Sequence, residues 1–176
     1  MSAIDLVILG MLRKKSLGAY ELQKLVEYRS ISKWVKISTP SIYKKVLQLE
    51  EKGLVTSRFE RDGNMPEKAV YSLTDEGKKE FERLMLDLSR RPVRIFLDCN
   101  AVAVNLDSMP KKKRQECVQN ICKSVQELKA ELAENLAQTQ DAPDVPAAGM
   151  AVLRQQLLLA DALERWAETL QSQGEK

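Results

Sequence analysis

The chain of 176 residues contains no histidine. That absence excludes Ser-His-Asp and Cys-His catalysis, zinc sites built on imidazole, and imidazole proton shuttling. Carboxylate chemistry would remain, but no acid lies in an apolar, pocket-like stretch. No enzyme is expected, and no catalytic residue, metal ligand or cofactor is assigned. Cysteine is scarce as well. Three thiols, an odd number without metal-site spacing, suit a reducing cytoplasm. Cys117 and Cys122 stand five apart in an expected helix, so they diverge and are not expected to bridge. All three read as core thiols, with a redox sensor as the alternative. No apolar run approaches the length of a membrane span, and no signal peptide is expected before the first helix. A cytoplasmic protein without a membrane partner is the expectation.

What is present is an ordinary soluble composition, 44% hydrophobic and 30% charged, enough for one domain or two small ones. The formal charge of +3 conceals a division. Residues 1–91 carry a net +5 and residues 92–176 a net −2. A polyanion, if bound, is expected on the first half.

Residues 38–53 organise the rest. Thr39 is a good N-cap, Pro40 fits the first helical position, and Gly53 supplies the left-handed residue that stops a helix. Between them Ile42, Val46 and Leu49 recur at helical spacing as an apolar stripe. Ser41, Lys44, Lys45, Gln48 and Lys52 recur on the other side, three lysines and no acid, with Tyr43 and Leu47 on the flank. A helix that plugs a core with one face and shows lysine, serine and glutamine on the other suits a DNA major groove. A solvated basic face is the plain alternative.

Before this stretch, Ser2 and Asp5 make a capping-box-like start to a helix with Ile4, Val7, Ile8, Met11 and Leu12 on its apolar side. Arg13, Lys14 and Lys15 suit that helix's C-terminal dipole. Residues 16–18 read as a turn and 19–30 as a second helix carrying Leu22, Leu25 and Val26. Residues 31–38 read as a connection, with Trp34 either a packing or a ligand-stacking residue. After Gly53 the period becomes alternating. Residues 54–61 and 68–73 read as two strands joined by the turn-rich segment 62–66. Thr74 then caps a helix to about residue 89, with Asp75 and Glu76 in its first turn.

Three short helices, a hairpin and another helix form the order of a winged helix-turn-helix. Arg58, Arg61 and Lys68 near the hairpin tip are placed to reach phosphates or a minor groove, although Glu60, Asp62 and Glu67 oppose them. Arg90-Arg91-Pro92 marks a boundary. Beyond it, residues 93–104 are almost continuously apolar and are expected to form a helix covered on most sides. Ser108 is expected to cap the next helix, with Pro110 inside its first turn.

That helix carries Val118, Ile121, Val125, Leu128, Leu132 and Leu136 at three-and-four spacing. Residues 141–146 break the chain. The last helix carries Met150, Leu153, Leu157, Ala160, Leu163, Ala167 and Leu170. Two seamed helices with a short loop read as an antiparallel hairpin whose apolar surface exceeds what the pair can cover. A second copy is the economical partner. Trp166 belongs to that seam or lies near a cavity at the dimer interface. Lys111-Lys112-Lys113-Arg114 opposes its helix dipole; solvation, pairing with an acid such as Glu116 and contact with DNA all stay open.

Several segments in register resemble the PadR family of transcriptional regulators. Ile4-Asp5-Leu6-Val7-Ile8-Leu9-Gly10-Met11-Leu12 looks like that family's opening, and Leu17-Gly18-Ala19-Tyr20-Glu21-Leu22 is similar to its start of helix two. Ser41-Ile42-Tyr43 with residues 47–55 resembles its recognition-helix pattern, and residues 71–77 resemble the end of its wing. These motifs span about the first half of the chain. The second half is similar by architecture and by residues 153–170. Pro40 stands where the commonest pattern has glycine, and Lys44 where a proline often follows the tyrosine. The resemblance implies a dimeric DNA-binding repressor, often controlled by a small molecule near the dimer interface, and a Tyr43 contact with the DNA backbone.

The expected fold is mainly α with a small β-hairpin wing. A winged helix-turn-helix occupies 1–91 and a helical dimerisation domain 92–176. The expected function is a homodimeric repressor relieved by a small apolar or aromatic effector, on double-stranded DNA with two half-sites about one helical turn apart. A winged-helix protein-interaction module without DNA binding is the alternative. DNA contacts are assigned to Ser41, Tyr43, Lys44, Lys45, Gln48, Arg58, Arg61 and Lys68. Dimerisation is assigned to Val118, Ile121, Val125, Leu128, Leu153, Leu157, Leu163 and Leu170. Phe96 and Trp166 are the candidates for effector contact.

Overall fold

The structure is a computed structural model that describes residues 1–33, 35, 41–61, 67–139 and 146–174, without the side chains of 41, 173 and 174. Trp34, the cap at Thr39 and Pro40, the turn at 62–66 and the break at 141–145 lie outside the described residues. The chain divides into two compact units, Met1–Val93 and Arg94–Lys176.

The first unit contains α1 (Ala3–Leu12), β1 (Leu17–Gly18), α2 (Ala19–Tyr28), a 3-10 turn (Ile31–Lys33), α3 (Ser41–Glu51), β2 (Val55–Glu60), β3 (Lys68–Leu73) and α4 (Asp75–Ser89). The three strands form one antiparallel sheet in the order β1-β3-β2. Residues 16–18 therefore do more than turn. Leu17 pairs with Tyr71 and Gly18 with Val70, adding a third strand to the expected hairpin. Two residues are too few for alternation to be visible in a sequence.

The core joins Ile4, Ile8, Leu9 and Leu12 of α1 to Leu22 and Val26 of α2 and to Ile42, Val46 and Leu49 of α3. Tyr71 and Leu84 close it. α3 ends in a Schellman motif. Gly53 lies at φ +69, its amide donates to Glu50 O, and the Leu54 amide donates to Leu49 O at 3.0 Å. Thr74 then ties this end to α4. Its hydroxyl donates to Gly53 O at 2.8 Å while accepting from the Gly77 amide as the cap of α4.

The second unit contains α5 (Cys99–Ala103), a 3-10 turn (Leu106–Ser108), α6 (Lys111–Thr139) and α7 (Ala147–Gly174). The apolar run 93–104 is not one helix. Residues 92–97 have no regular structure, and Val93 and Phe96 are 90% and 84% exposed. Apolar composition without helical periodicity did not specify a helix there. Ser108 ends the 3-10 turn instead of capping α6, whose first turn begins after Pro110, with the Arg114 amide donating to Pro110 O.

α6 and α7 pack together. Ile121 and Val125 meet Ala167, with Cys99, Cys122, Leu163, Trp166 and Leu170 packed around them. Lys129 on α6 bridges to Asp161 at 2.9 Å and Glu164 at 2.6 Å on α7. Arg114 pairs with Asp107 at 3.3 Å rather than with Glu116. Cys99, Cys117 and Cys122 are free and partly buried, and burial pushes the Cys122 thiol up. Among the described residues no helix is long and apolar enough to cross a membrane.

Gly77 is buried where α4 starts beneath the Gly53 turn. A Cβ there would collide with the Leu54 carbonyl oxygen and stand 2.7 Å from Leu73 Cδ1. Gly77→Ala should therefore lower stability by about 1–3 kcal/mol, the usual range for overpacking against unyielding atoms. An unchanged urea midpoint would contradict this packing.

Candidate nucleic-acid interface

α3 is an 11-residue helix, and its faces are sorted by burial. Ile42, Val46 and Leu49 are at most 1% exposed. At about 100° per residue, Lys44, Gln48 and Glu51 fall on the side opposite this stripe, with Leu47 and Tyr43 on one flank. Lys44 is exposed, Gln48 half-buried and Tyr43 61% exposed. Glu51 is exposed at the C-terminal end, so the outward face does carry an acid. The side chain of Ser41 lies outside the described residues.

Lys45 departs from the expected picture of a free lysine face. It lies beside the buried stripe, and its Nζ is 3.2 Å from Asp5 Oδ1 on α1. Asp5 is 4% exposed. Its Oδ2 accepts from the Ser2 amide at 2.7 Å and the Ser2 hydroxyl at 2.9 Å. Burial works against the charged carboxylate, but the Ser2 donors and the Lys45 ammonium outweigh it, so the Asp5 pKa lies below its ordinary value. The capping role of Asp5 is visible in the sequence; its partner on α3 is not.

In the wing, β2 and β3 pair in register from Val55–Leu73 to Glu60–Lys68. Arg58 is exposed and held by Glu60 at 2.6 Å. Arg61, just past β2, is exposed. Lys68 reaches Glu21 of α2 at 3.2 Å. The Gly18 amide donates to that same carboxylate at 2.7 Å and holds its pKa down, with Lys68 assisting. The Gly18-to-Glu21 spacing is a capping signal that marks Glu21 in the sequence. The outer side of α2 carries a further pair that sequence reading passed over. Lys24 Nζ lies 5.5 Å from the centre of the exposed Tyr20 ring. Tyr20 and Lys24 stand four apart, the one signal available.

Tyr43, Lys44 and Gln48 thus share the outer part of one helix, while Arg58, Arg61 and Lys68 sit along the wing and Lys45 turns inward. In the second unit, Val118, Ile121 and Val125 are buried within the chain itself. Leu153, Leu157, Leu163 and Leu170 are half-buried, and Leu128 is exposed. Of the assigned dimerisation set, Ile121, Val125, Leu163 and Leu170 lie in the seam of the α6–α7 hairpin, because the same spacing serves a partner within the chain or beyond it.

A groove of about 330 Å³ is lined by Cys99, Val102, Cys117, Asn120, Ile121, Ser124 and Val125. Neither Phe96 nor Trp166 lines it. Phe96 is exposed and Trp166 packs in the seam, so these two effector candidates are not brought together in this groove.

Residues 8–83 match the family model described as "Transcriptional regulator PadR-like family". A curated relative, the negative transcriptional regulator PadR of Bacillus subtilis (strain 168), is 31% identical over 80 residues. That match covers 46% of this chain and 43% of the relative, less than half of its length. Bacillus subtilis PadR in complex with operator DNA is similar in structure, with a TM-score of 0.82 at 21% identity over 97% of this chain and 98% of that one. The same regulator in complex with p-coumaric acid gives 0.80 at 18% identity, over 98% and 96%. At these identities the shared property is the fold, a mainly helical chain with a small antiparallel wing. The family model and the curated relative are both named for transcriptional regulation.

Because the folded-state pKa of Asp5 is depressed, its charge contributes stability above the unfolded carboxylate pKa of about 3.9 and loses that contribution as pH falls through the lower folded value. Asp5→Asn should cost more stability at pH 7 than at pH 2, measured by urea unfolding. An equal cost at both would contradict the pairing.

Proposed function

We propose that this chain, whose residues 8–83 match the model of the PadR-like family of transcriptional regulators, is a member of that family and a homodimeric DNA-binding repressor relieved by a small molecule. The observation that carries the reading is the division of α3. Its apolar stripe is sealed in the core while Tyr43, Lys44 and Gln48 stand outward beside a wing that carries Arg58, Arg61 and Lys68. In this reading Ser41, Lys44 and Gln48 face the major groove, with Gln48 chemically suited to adenine and Lys44 to guanine or phosphate. Tyr43 meets the backbone. Arg58, Arg61 and Lys68 meet phosphates or the minor groove. A PadR bound to operator DNA supports this reading by its likeness of fold.

Repression follows the name of the curated relative. Effector control is supported by the PadR complex with p-coumaric acid and by the groove along α5 and α6, whose volume is at the small end for ligand sites. The homodimer is supported by apolar side chains that α6 and α7 leave uncovered: Leu128, Leu158 at 68% exposure, and Leu159. Residues 92–176 then serve as the dimerisation domain. One observation favours a second reading, a protein-interaction module. Arg58 and Lys68 already hold acids, as phosphate contacts need not.

Lys44→Ala should weaken DNA binding and reduce the slope of log affinity against log salt by about 1, read by fluorescence anisotropy. An unchanged slope would remove Lys44 from the interface. Leu158→Glu should shift the chain from dimer to monomer in sedimentation. A variant that stays dimeric would place the interface elsewhere.

A further inference from the structure

The apolar contacts of Ile42, Val46 and Leu49 hold α3 against the core, but burial is non-directional and tolerates small rotations about the helix axis. The Lys45–Asp5 contact lies at the edge of that stripe and is directional. Asp5 has little freedom of its own. It is buried in the first turn of α1, and both Ser2 donors occupy its Oδ2. Oδ1 is left for Lys45. Without that cation a buried carboxylate would lose its counter-charge, which is strongly unfavourable. The ion pair is therefore satisfied only while α3 presents Lys45 toward α1. At about 100° per residue, that same angle turns Lys44 and Gln48 outward.

We propose that Lys45 is a positioning residue rather than a DNA ligand: it anchors the recognition helix to α1 through Asp5 and sets the angle at which Tyr43, Lys44 and Gln48 meet DNA. This rests on the DNA-binding reading above.

The decisive variant is Asp5→Asn. Deleting an acid from a protein that binds a polyanion should tighten binding on electrostatic grounds, more so if it frees Lys45 to reach a phosphate. A positioning role gives the opposite sign. In anisotropy with duplex DNA, Asp5→Asn and Lys45→Met should each weaken binding by about 5-fold or more. The salt slope should stay at its wild-type value, and the double variant should be weaker than either single by less than their product. Lys45→Arg, which keeps the cation, should largely restore affinity.

Hydrogen exchange without DNA supplies the independent readout. Amides of α3 should exchange faster in Lys45→Met while those of α4 stay protected. Tighter binding by Asp5→Asn, or a slope reduced by about 1 in Lys45→Met as for a phosphate contact, would overturn the proposal. So would unchanged exchange in α3. Lys45→Met leaves the Ser2–Asp5 bonds in place and serves if Asp5→Asn does not fold. If the wild-type chain binds no DNA at any salt, the DNA-binding reading fails, and exchange alone decides whether Lys45 anchors α3.

Discussion

Burial of one stripe on α3 governs the first unit. Removing Ile42, Val46 and Leu49 from water contributes about 1.5–3 kcal/mol each, a sum comparable to the net stability of a whole domain. With that face committed to α1, α2 and the sheet, the opposite face has to point outward. Stability and surface chemistry are thereby carried by different residues of one helix, since Lys44 and Gln48 can vary without disturbing the core. The Schellman end at Gly53 and the Thr74 cap then fix where α3 stops and the wing begins.

Electrostatics refine what hydrophobic burial sets up. The three assigned cations that meet acids do so in two settings. Arg58–Glu60 and Lys68–Glu21 are solvent-exposed, and such pairs contribute roughly 0–1 kcal/mol, so a phosphate can compete for either cation. Lys45 is different because its partner is buried. The net +5 of residues 1–91 is therefore not a uniform basic surface. Part of it is internal counter-charge, and part is held loosely where a polyanion can claim it.

Much of this organisation is legible in the chain itself. Helix and strand periods, the Gly53 stop, the Thr74 cap and the buried stripe all rest on neighbours within a few residues, where spacing carries the information. The misreadings have a common cause. Lys45 and Asp5 meet across tertiary structure, and no local pattern records that pairing. Leu17–Gly18 gains strand character only from β3. Residues 92–97 are apolar without a helical period, and Arg114 chooses Asp107 from the preceding turn. Val118, Ile121 and Val125 were legible as a seam, but periodicity cannot say whether the facing helix belongs to the same chain.

The second unit resolves that ambiguity in part. Its hairpin is closed by its own residues around Ala167 and by Lys129 between two acids, while Leu128, Leu158 and Leu159 stay exposed on its outside. The proposed function depends on α3 meeting DNA. The most direct test is fluorescence anisotropy of the full chain with duplex DNA from just upstream of its own gene, against scrambled duplex, across a salt series. A DNA-binding α3 should give tighter binding to the upstream duplex and affinity that falls steeply as salt rises. No binding to either duplex at low salt would contradict it and favour the protein-interaction module.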